Sequence, residues 1–351
     1  MDSPTPVTKV QAAAPPELPA PGQFAEVAED IYALNVAVPF KGLRQVALWL
    51  LRGPEGWTMI DCGWGDPETR AAITNAFDTL LGDEPLVRLI VTHFHPDHMG
   101  NCRWICDRWG IVPHVTRAEW FAAKCSERLM YIDDLDAQAR FFEAHAIDQA
   151  LLARYQAEFI LYDRGVAVSP AHQCLRDGQT LTFGGTTWEV LAGAGHSPEM
   201  ATFYSAERRI YISADQVLPR ISSNVGVNHW EPAADPLKDF LHSLAVIADK
   251  VPSDALVLPS HGDPFRDAPA RIRNLARHHE DRLDQLMADF DGQKPRTAGA
   301  CMATLFGKKL DGTQIGFAAG ETIAHLNHLV ERGRLQRISQ PDGRIHYQMI
   351  H

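Results

Sequence analysis

Four side chains that commonly bind metals lie within one hexapeptide, His93-Phe94-His95-Pro96-Asp97-His98. This hexapeptide follows an apolar run at residues 86–91, which predicts a buried strand. Because successive side chains of a strand alternate between its faces, we expect His93 and His95 to point the same way. Asp97 and His98 would follow at the turn after the strand. The hexapeptide therefore predicts two adjacent pairs of ligands, as a two-metal site requires.

Three further candidate ligands follow predicted strands downstream. A Gly-rich turn carries His196, a strand at residues 209–213 leads to Asp215, and a strand at residues 255–259 leads to His261. Each ligand would lie at a strand end, where irregular backbone can hold a metal at the edge of a sheet. Histidine and carboxylate ligands without a thiolate favour Zn²⁺, with Mn²⁺ or Fe as alternatives.

This pattern resembles the metallo-β-lactamase superfamily of hydrolases, in particular its dinuclear branch, over residues 25–290. The resemblance implies that seven side chains bind two Zn²⁺ ions per chain, with Asp215 bridging the two ions. The first ion would be bound by His93, His95 and His196, and the second by Asp97, His98 and His261.

A predicted strand at residues 57–61 ends in Asp61-Cys62-Gly63, where the superfamily usually has Asp-Thr-Gly. Cys62 departs from that pattern. The resemblance implies that Asp61 lies beneath the metal centre and accepts a hydrogen bond from a ligand histidine. It also implies an α/β fold, the four-layer αββα sandwich of this superfamily. In that fold two sheets pack face to face, and helices cover both outer faces.

The predicted chemistry is hydrolysis. Two ions that share a bridging water would lower its pKa from about 15.7 towards ~7, which makes hydroxide available at neutral pH. This hydroxide would attack a carbonyl or phosphoryl centre, and Asp97 would accept the proton released as the bond breaks. We predict a zinc-dependent hydrolase of a small ester, lactone, thioester or amide, with β-lactams included.

Two alternative functions stay open. The first is a metal-dependent phosphodiesterase or endoribonuclease that uses the same ions. The second is a non-hydrolytic enzyme with a single iron, because persulfide dioxygenases carry a similar His-x-His-x-Asp-His sequence.

Length and composition limit the class of protein. The chain has 351 residues, of which 45% are apolar, so it can bury a large core and form two domains. Its net charge of −11 argues against binding nucleic acid through overall charge, although that partner stays open. Neither a signal peptide nor an apolar run of transmembrane length is visible. We therefore predict a cytoplasmic protein with a small-molecule substrate, no membrane partner and scope for homo-oligomers.

Three parts of the chain are predicted. Residues 1–22 are Pro- and Ala-rich and are expected to form a disordered tail, and residues 23–292 form the catalytic domain. Residues 293–351 form a small winged-helix-like domain, with a helix at 321–333 followed by two short strands. This combination is similar to a branch with β-lactamase-like protein 2 type endoribonucleases and many bacterial hydrolases.

The C-terminal domain has two interpretations. A winged helix often binds nucleic acid, but it can also serve packing or dimerisation. Residues 294–351 carry eight Lys or Arg against four Asp or Glu. This local excess is modest in an acidic chain, which favours packing.

Two regions could contact substrate. The predicted helical insert at 116–165 is rich in aromatic residues, which either pack on the core or form a lid over an apolar pocket that includes Tyr131. The loop after Asp215 carries His229 and Trp230, and loops of this kind commonly border active sites. We therefore take Tyr131, His229 and Trp230 as candidate pocket residues.

Overall fold

The computed structural model describes most of the chain. The described residues are 14–40, 43–127, 131–148, 150, 152–153, 166–290, 294–307, 310 and 312–350. At 131–134 and 312–313 the description covers the backbone alone.

The first sheet contains seven strands in sequential order. They are β1 (Phe24–Ala28), β2 (Ile31–Ala37), β3 (Gln45–Gly53), β4 (Gly56–Ile60), β5 (Leu86–Ile90), β6 (His114–Thr116) and β7 (Gln173–Leu175). Strands β1 to β4 pair antiparallel, and β4 to β7 pair parallel. Parallel pairs need crossover connections. The helices in these connections are α1 (Pro67–Leu80), α2 (Pro96–Met99), α3 (Cys102–Trp109), α4 (Arg117–Glu127) and α5 (Tyr131–Ala144).

The second sheet contains five strands in the order β12-β11-β10-β9-β8. They are β8 (Thr180–Phe183), β9 (Thr186–Gly193), β10 (Met200–Ser205), β11 (Ile210–Ala214) and β12 (Leu256–Pro259). Only its edge pair, β11 with β12, is parallel among the described strands of this sheet. The crossover between these two strands contains α6 (Pro236–Lys250), and α7 (Ala268–Asp289) follows β12.

Strand β3 shows how the layers pack. Trp49 and Leu51 face a core between the two sheets, where they meet Trp188 of β9. Leu48 and Leu50 point the other way, into a core that includes residues of α1 and α3. A third core lies between the second sheet and helices α6 and α7. A strand buried on both faces has a nearly continuous apolar sequence. These layers confirm the predicted four-layer αββα sandwich.

The chain after α7 forms two helices and a hairpin. They are α8 (Ala298–Phe306), α9 (Gly312–Glu331), β13 (Leu335–Ser339) and β14 (Ile345–Met349). Helix α9 is longer than the helix predicted at 321–333. The glycines in the first part of α9 have low helix propensity, so the sequence did not predict a helix there. Burial of Ile315 and Ala319 in the third core stabilises this part of the helix. The winged-helix classification stays a prediction. Neither α9 nor any other helix in the described part is long and apolar enough to cross a membrane.

Helices α4 and α5 form most of the described part of the predicted insert. Phe141 and Phe142 of α5 are buried in the third core, which favours the packing interpretation for these two side chains. Residues 154–165, where the sequence predicts the end of a third helix, lie outside the described residues.

Residues 14–22, which we predicted to belong to a disordered tail, lack regular secondary structure but contact the sandwich. The Leu18 amide donates a hydrogen bond to Asp263 Oδ1 (3.1 Å), and Asn35 Nδ2 donates to the Pro19 carbonyl (2.6 Å). Residues 1–13 of the predicted tail lie outside the described residues.

Candidate metal centre

The structure brings the seven predicted ligands together at one edge of the sandwich. They form three groups, and within each group the candidate ligand atoms lie within 4.8 Å of one another. The groups are His93 with His95 and His196, Asp97 with His98 and His261, and His93 with His98 and Asp215. This grouping matches the two predicted ligand sets.

Asp215 lies between the two sets. Its Oδ2 atom is 3.5 Å from His196 Nε2, and its Oδ1 atom is 3.4 Å from His261 Nε2 and 3.7 Å from His98 Nε2. The two oxygens of one carboxylate therefore face different ligand sets. This is the arrangement that a bridging carboxylate needs.

Several buried atoms of the centre have no hydrogen-bond partner among the described residues. They are the Nε2 atoms of His98, His196 and His261 and the Oδ1 atom of Asp215. Leaving a buried polar atom unpaired costs about 1–3 kcal/mol, so native structures rarely tolerate several in one place. Nitrogen and oxygen atoms that converge on one space can bind divalent cations, and the donor set of histidine and carboxylate fits Zn²⁺. The residues present therefore fit a two-metal site.

Hydrogen bonds on the far side of each ring hold three ligand histidines in place. His98 Nδ1 donates to Asp61 Oδ2 (2.8 Å), the contact that the resemblance implied for Asp61. His196 Nδ1 donates to the Asn224 carbonyl, and His261 Nδ1 donates to the Gln45 carbonyl, both at 2.7 Å. Because Nδ1 of each of these three rings donates a hydrogen bond, Nε2 is the nitrogen that can bind metal.

Asp61 also supports His93, through a residue that the sequence analysis did not select. The Thr92 amide donates to Asp61 Oδ1 (2.7 Å), and Thr92 Oγ1 donates to Asp61 Oδ2 (2.9 Å). The same hydroxyl lies 3.0 Å from His93 Nδ1 and can accept a hydrogen bond from it. A polar residue at the end of an apolar strand was the only sequence signal for Thr92.

Glu119, at the start of α4, connects the two loops of the first ligand set. Its side chain is fully buried. Oε2 accepts a hydrogen bond from the Phe94 amide (2.9 Å), and Oε1 accepts from Ser197 Oγ and the Glu199 amide (both 2.7 Å). Burial raises the pKa of Glu119 to about 7, although these hydrogen bonds oppose the rise. No local motif marked this residue, because its partners are distant in the sequence.

Burial and mutual charge set the ionisation of the ligands. Burial and the charge of His196 lower the pKa of His95 to about 3, so this ring is neutral, and its Nδ1 atom lies 2.9 Å from His93 Nε2. Burial alone would raise the pKa of Asp97, but His98 and His261 lower it to about 2. Burial opposes a charge on His98, yet Asp97, Asp61 and Asp215 raise its pKa to about 9. The carboxylates therefore attract cations into this centre.

The left-handed backbone at two positions aims the downstream ligands. Ala214, with φ 46°, precedes Asp215, and Gly195, with φ 94°, precedes His196. A Cβ atom at Gly195 would lie 2.4 Å from the Pro236 carbonyl at the start of α6, so this close approach requires glycine. Strained backbone of this kind is concentrated at functional sites.

The candidate pocket residues are less clearly placed. His229 and Trp230 lie between β11 and α6 with ring centroids 4.9 Å apart, and Trp230 is 59% exposed. Tyr131 is the first residue of α5, and its side chain lies outside the described residues. An open cavity of about 1230 Å³ is lined by the β3–β4 turn, at the far end of β4 from Asp61. Substrate contact by these three side chains stays a prediction.

Two known protein families match this chain. A family described as the metallo-beta-lactamase superfamily matches residues 42–288, which is more than half of the chain. The chain belongs to the metallo-β-lactamase superfamily. A second family, described as the metallo-beta-lactamase-like C-terminal domain, matches residues 283–350 of this metallo-β-lactamase superfamily protein. The chain therefore has a metallo-β-lactamase domain followed by an additional C-terminal domain.

Two solved bacterial structures are similar to this superfamily member along almost its whole length. A beta-lactamase domain protein from Burkholderia ambifaria is 37% identical with a TM-score of 0.87, covering 95% of this chain and 96% of that chain. A metallo-beta-lactamase family protein from Thermus thermophilus is 28% identical with a TM-score of 0.77, covering 93% of this chain and 100% of that chain.

Curated relatives of this superfamily member are more distant. The lactamase-like protein adaB of Aspergillus niger is 27% identical over 124 residues, which are 35% of this chain and 36% of that protein. The match thus spans about a third of that relative's length. The lactamase-like protein vrtG of Penicillium aethiopicum is 23% identical over 303 residues, which are 86% of this chain and 76% of that protein.

Proposed function

We propose that this protein is a zinc-dependent hydrolase with two ions per chain that cleaves a small carbonyl substrate. The candidate substrates are esters, lactones, thioesters and amides, including β-lactams. The observation that carries this proposal is the set of buried ligand atoms without hydrogen-bond partners, on His98, His196, His261 and Asp215. They converge on one space in a chain that belongs to the metallo-β-lactamase superfamily.

Two groups of side chains would hold the ions. One group is His93, His95 and His196, the other is Asp97, His98 and His261, and Asp215 would contact both ions. When bound, such ions act as Lewis acids and lower the pKa of water towards neutrality. Proton transfer in the proposed reaction depends on a side chain of the protein itself.

Asp97 is the proposed proton acceptor. Its carboxylate is ionised at neutral pH, since the charges of His98 and His261 lower its pKa to about 2. Oδ2 lies 3.4 Å from His261 Nε2 and 3.6 Å from His98 Nε2, so these two rings restrict its movement. A carboxylate fixed at this position could take up the proton released as the scissile bond breaks.

The charge distribution of the C-terminal domain favours a small substrate over nucleic acid. Its basic side chains include Arg332, which pairs with Glu280 of α7 (2.6 Å), and Arg296, which pairs with Asp289 of α7 (2.9 Å). Arginines neutralised by carboxylates of the catalytic domain contribute little to attracting phosphates. The phosphodiesterase alternative therefore ranks second.

A turnover screen tests the proposed substrate class. The purified protein, loaded with zinc, is assayed with a β-lactam, a lactone, an aryl ester, a thioester and a bis-aryl phosphodiester. We expect turnover of at least one carbonyl substrate, loss of that turnover after chelation, and its return when zinc is added back. Chelator-resistant turnover would show that the metal centre does not do the chemistry.

Two other outcomes would change the assignment. Turnover of the phosphodiester alone would favour the phosphodiesterase alternative. Oxygen uptake by an iron-loaded protein without hydrolysis would favour the non-hydrolytic alternative.

A further inference from the structure

A second cluster of buried histidine and carboxylate side chains lies where α9 of the C-terminal domain packs against α7. The candidate ligand atoms of His279, Glu321 and His325 lie within 4.8 Å of one another, as in the metal centre. Together with their hydrogen-bond partners, these side chains form what we call the Glu321 network: Ser222, Asn224, His279, Arg282, Glu321 and His325.

The histidines of the Glu321 network are already paired. His325 Nδ1 donates to the Glu321 carbonyl (2.8 Å), which leaves His325 Nε2 to accept from His279 Nδ1 (3.2 Å). His279 Nε2 in turn lies 3.4 Å from Ser222 Oγ. The Glu321 carboxylate has two partners of its own, which are described below. In the metal centre, by contrast, buried ligand atoms lack partners. The network is therefore a closed set of hydrogen bonds and not a second metal site.

The network reaches the metal centre through Asn224. The Asn224 carbonyl accepts the hydrogen bond from Nδ1 of the ligand His196 (2.7 Å). The Asn224 amide group donates to Glu321 Oε2 (3.1 Å) and to the Phe317 carbonyl (3.3 Å), both on α9. A single residue thus contacts a predicted metal ligand with its backbone and the C-terminal domain with its side chain.

Two features make this connection rigid. Arg282 of α7 donates to Glu321 Oε1 (3.0 Å), so both oxygens of the carboxylate are engaged and the side chain is 8% exposed. Farther along the same loop, the Val227 amide donates to the Gly320 carbonyl of α9 (3.1 Å). The loop is therefore attached to α9 at several points close to Asn224.

We infer that Asn224 and Glu321 are positioning residues through which the C-terminal domain orients His196 and sets the metal affinity of the His93, His95 and His196 group. Loss of either side chain would free the Asn224 carbonyl and let the His196 ring turn. The second group, which includes His98 and His261, is held by Asp61 and Gln45 and would be unaffected. This inference rests on the metal centre of the proposed function.

Stepwise metal titration tests the inference. The metal-free full-length protein is titrated with Co²⁺ in competition with a chelating dye, and the two dissociation constants are fitted. The step that His95→Ala abolishes identifies the His93, His95 and His196 group. We expect Asn224→Ala and Glu321→Ala to weaken binding at that step about 10-fold and to change the other step less than about 3-fold.

Glu280→Ala is the matched control. Glu280 is on α7, as Arg282 is, and it pairs at the surface with Arg332, which directly follows α9, away from Asn224. Its loss removes an ion pair between α7 and the C-terminal end of α9, so it reports the effect of weakening this contact alone. We expect both binding steps to match those of the wild type.

Exchanging the donor and acceptor provides a rescue. In Asn224→Asp a carboxylate would face the Glu321 carboxylate, and we expect the same loss of affinity as in Asn224→Ala. In the double variant Asn224→Asp with Glu321→Gln, the amide at 321 donates to the carboxylate at 224. We expect the double variant to bind at that step more tightly than Asn224→Asp alone, a recovery that a general packing defect would not show.

The outcomes separate this inference from the proposed function. If the wild type binds two ions and the Asn224 and Glu321 variants bind them equally well, or weaken at both steps alike, the inference is wrong while the metal centre stands. If the wild type binds no ion, both are wrong. Circular dichroism of each metal-free variant confirms folding. Should Glu321→Ala not fold, the Asn224 variants decide the question by themselves.

Discussion

At the scale of single residues, the candidate centre contains three histidines, His98, His196 and His261, whose Nδ1 atom already has a partner. Asp61, Asn224 and Gln45 each accept a hydrogen bond from the Nδ1 atom of a ligand ring. A ring fixed in this way has one nitrogen left, and that nitrogen is buried and unpaired. Burying these unpaired nitrogens raises the free energy of the metal-free protein, and binding of a cation removes this penalty.

His95→Ala tests one ligand directly. This substitution removes one of three nitrogen donors, so we expect metal content to fall from two ions towards one and kcat/KM to fall at least about 100-fold. The measurements are metal analysis and steady-state kinetics on any substrate that the screen identifies. His242→Ala, at an exposed position of α6, is the control. Unchanged metal content and turnover in His95→Ala would contradict the assigned ligand set.

Glu119→Gln tests the pH dependence that burial predicts. The pKa of Glu119 is raised from the ordinary value of 4.5 to about 7 in the folded protein. Its contribution to the free energy of unfolding is therefore fully present below 4.5 and is lost as pH rises through about 7. Between pH 5 and 7, the stability of the metal-free wild type relative to Glu119→Gln should fall by on the order of 2 kcal/mol.

Urea unfolding of the metal-free proteins at several pH values measures this effect. Glu68→Gln removes an exposed carboxylate from the first turn of α1 and is the control. Parallel pH profiles for the wild type and Glu119→Gln would show that the carboxylate at 119 is not perturbed.

The seven candidate ligands and the supporting residue Asp61 could be predicted from the sequence, but the supporting residues Glu119 and Asn224 could not. His93 to His98 are neighbours in the chain, and the downstream ligands each follow a recognisable strand. Glu119, in contrast, binds Ser197 across 78 residues of sequence, and Asn224 binds Glu321 across 97. A contact of this kind depends on how the elements pack, which the pattern of a single sequence does not contain.

At the scale of secondary structure elements, turns at the ends of strands place the ligands. Strand β9 ends at Gly193, and the chain then passes through Gly195 before it reaches His196. Helix α6 begins beside this turn with Asp235 as its cap, where Asp235 Oδ1 accepts a hydrogen bond from the Lys238 amide (3.0 Å). The start of a helix thus supports a metal-binding turn.

Gly195→Ala tests this close packing. Besides the strain of φ 94°, the new Cβ atom would lie 2.4 Å from the Pro236 carbonyl and 2.5 Å from Phe240 Cβ. Gly110→Ala is a matched control, since Gly110 has φ 64° with no atom within 4 Å of the position that a Cβ atom would take. We expect the control to cost about 1–2 kcal/mol and Gly195→Ala at least about 1 kcal/mol more.

Chemical unfolding and metal titration measure both glycine variants. Gly195→Ala should also weaken metal binding, because the turn that carries His196 must move. Equal stability and equal metal affinity in the two variants would show that the turn has room to relax.

The order of elements was largely predictable, and their exact extents were not. The Asp-Pro pairs at Asp66 and Asp235 are sequence signals for the starts of α1 and α6, because aspartate caps a helix and proline suits its first position. Helix α9 was predicted too short, because its early glycines have low helix propensity and only contacts with the rest of the protein explain its formation.

At the scale of the whole molecule, the C-terminal domain is attached to the catalytic sandwich by polar contacts. Arg282 of α7 pairs with Glu321, Arg332 pairs with Glu280, and His328 pairs with Asp235 at 2.8 Å. Arg332 is one of the eight basic residues counted at 294–351, and a second one, Arg296, pairs with Asp289 of α7. Part of the local positive excess is therefore directed towards the protein itself.

The dependence of activity on salt tests this view. A protein that recognises nucleic acid through several phosphate contacts loses about 10³-fold or more in affinity between 50 and 200 mM salt. We expect kcat/KM for an uncharged carbonyl substrate to change less than about 3-fold over that range. A steep decrease, together with binding of single-stranded RNA, would support the endoribonuclease alternative.

The most direct test of the proposed two-metal centre is the metal content of the protein. Protein freed of metal, equilibrated with excess Zn²⁺ and then passed through a desalting column, is measured by inductively coupled plasma mass spectrometry against protein concentration. We predict two zinc ions per chain, because Asp215 lies between the two ligand groups. One ion or none would contradict the two-metal centre.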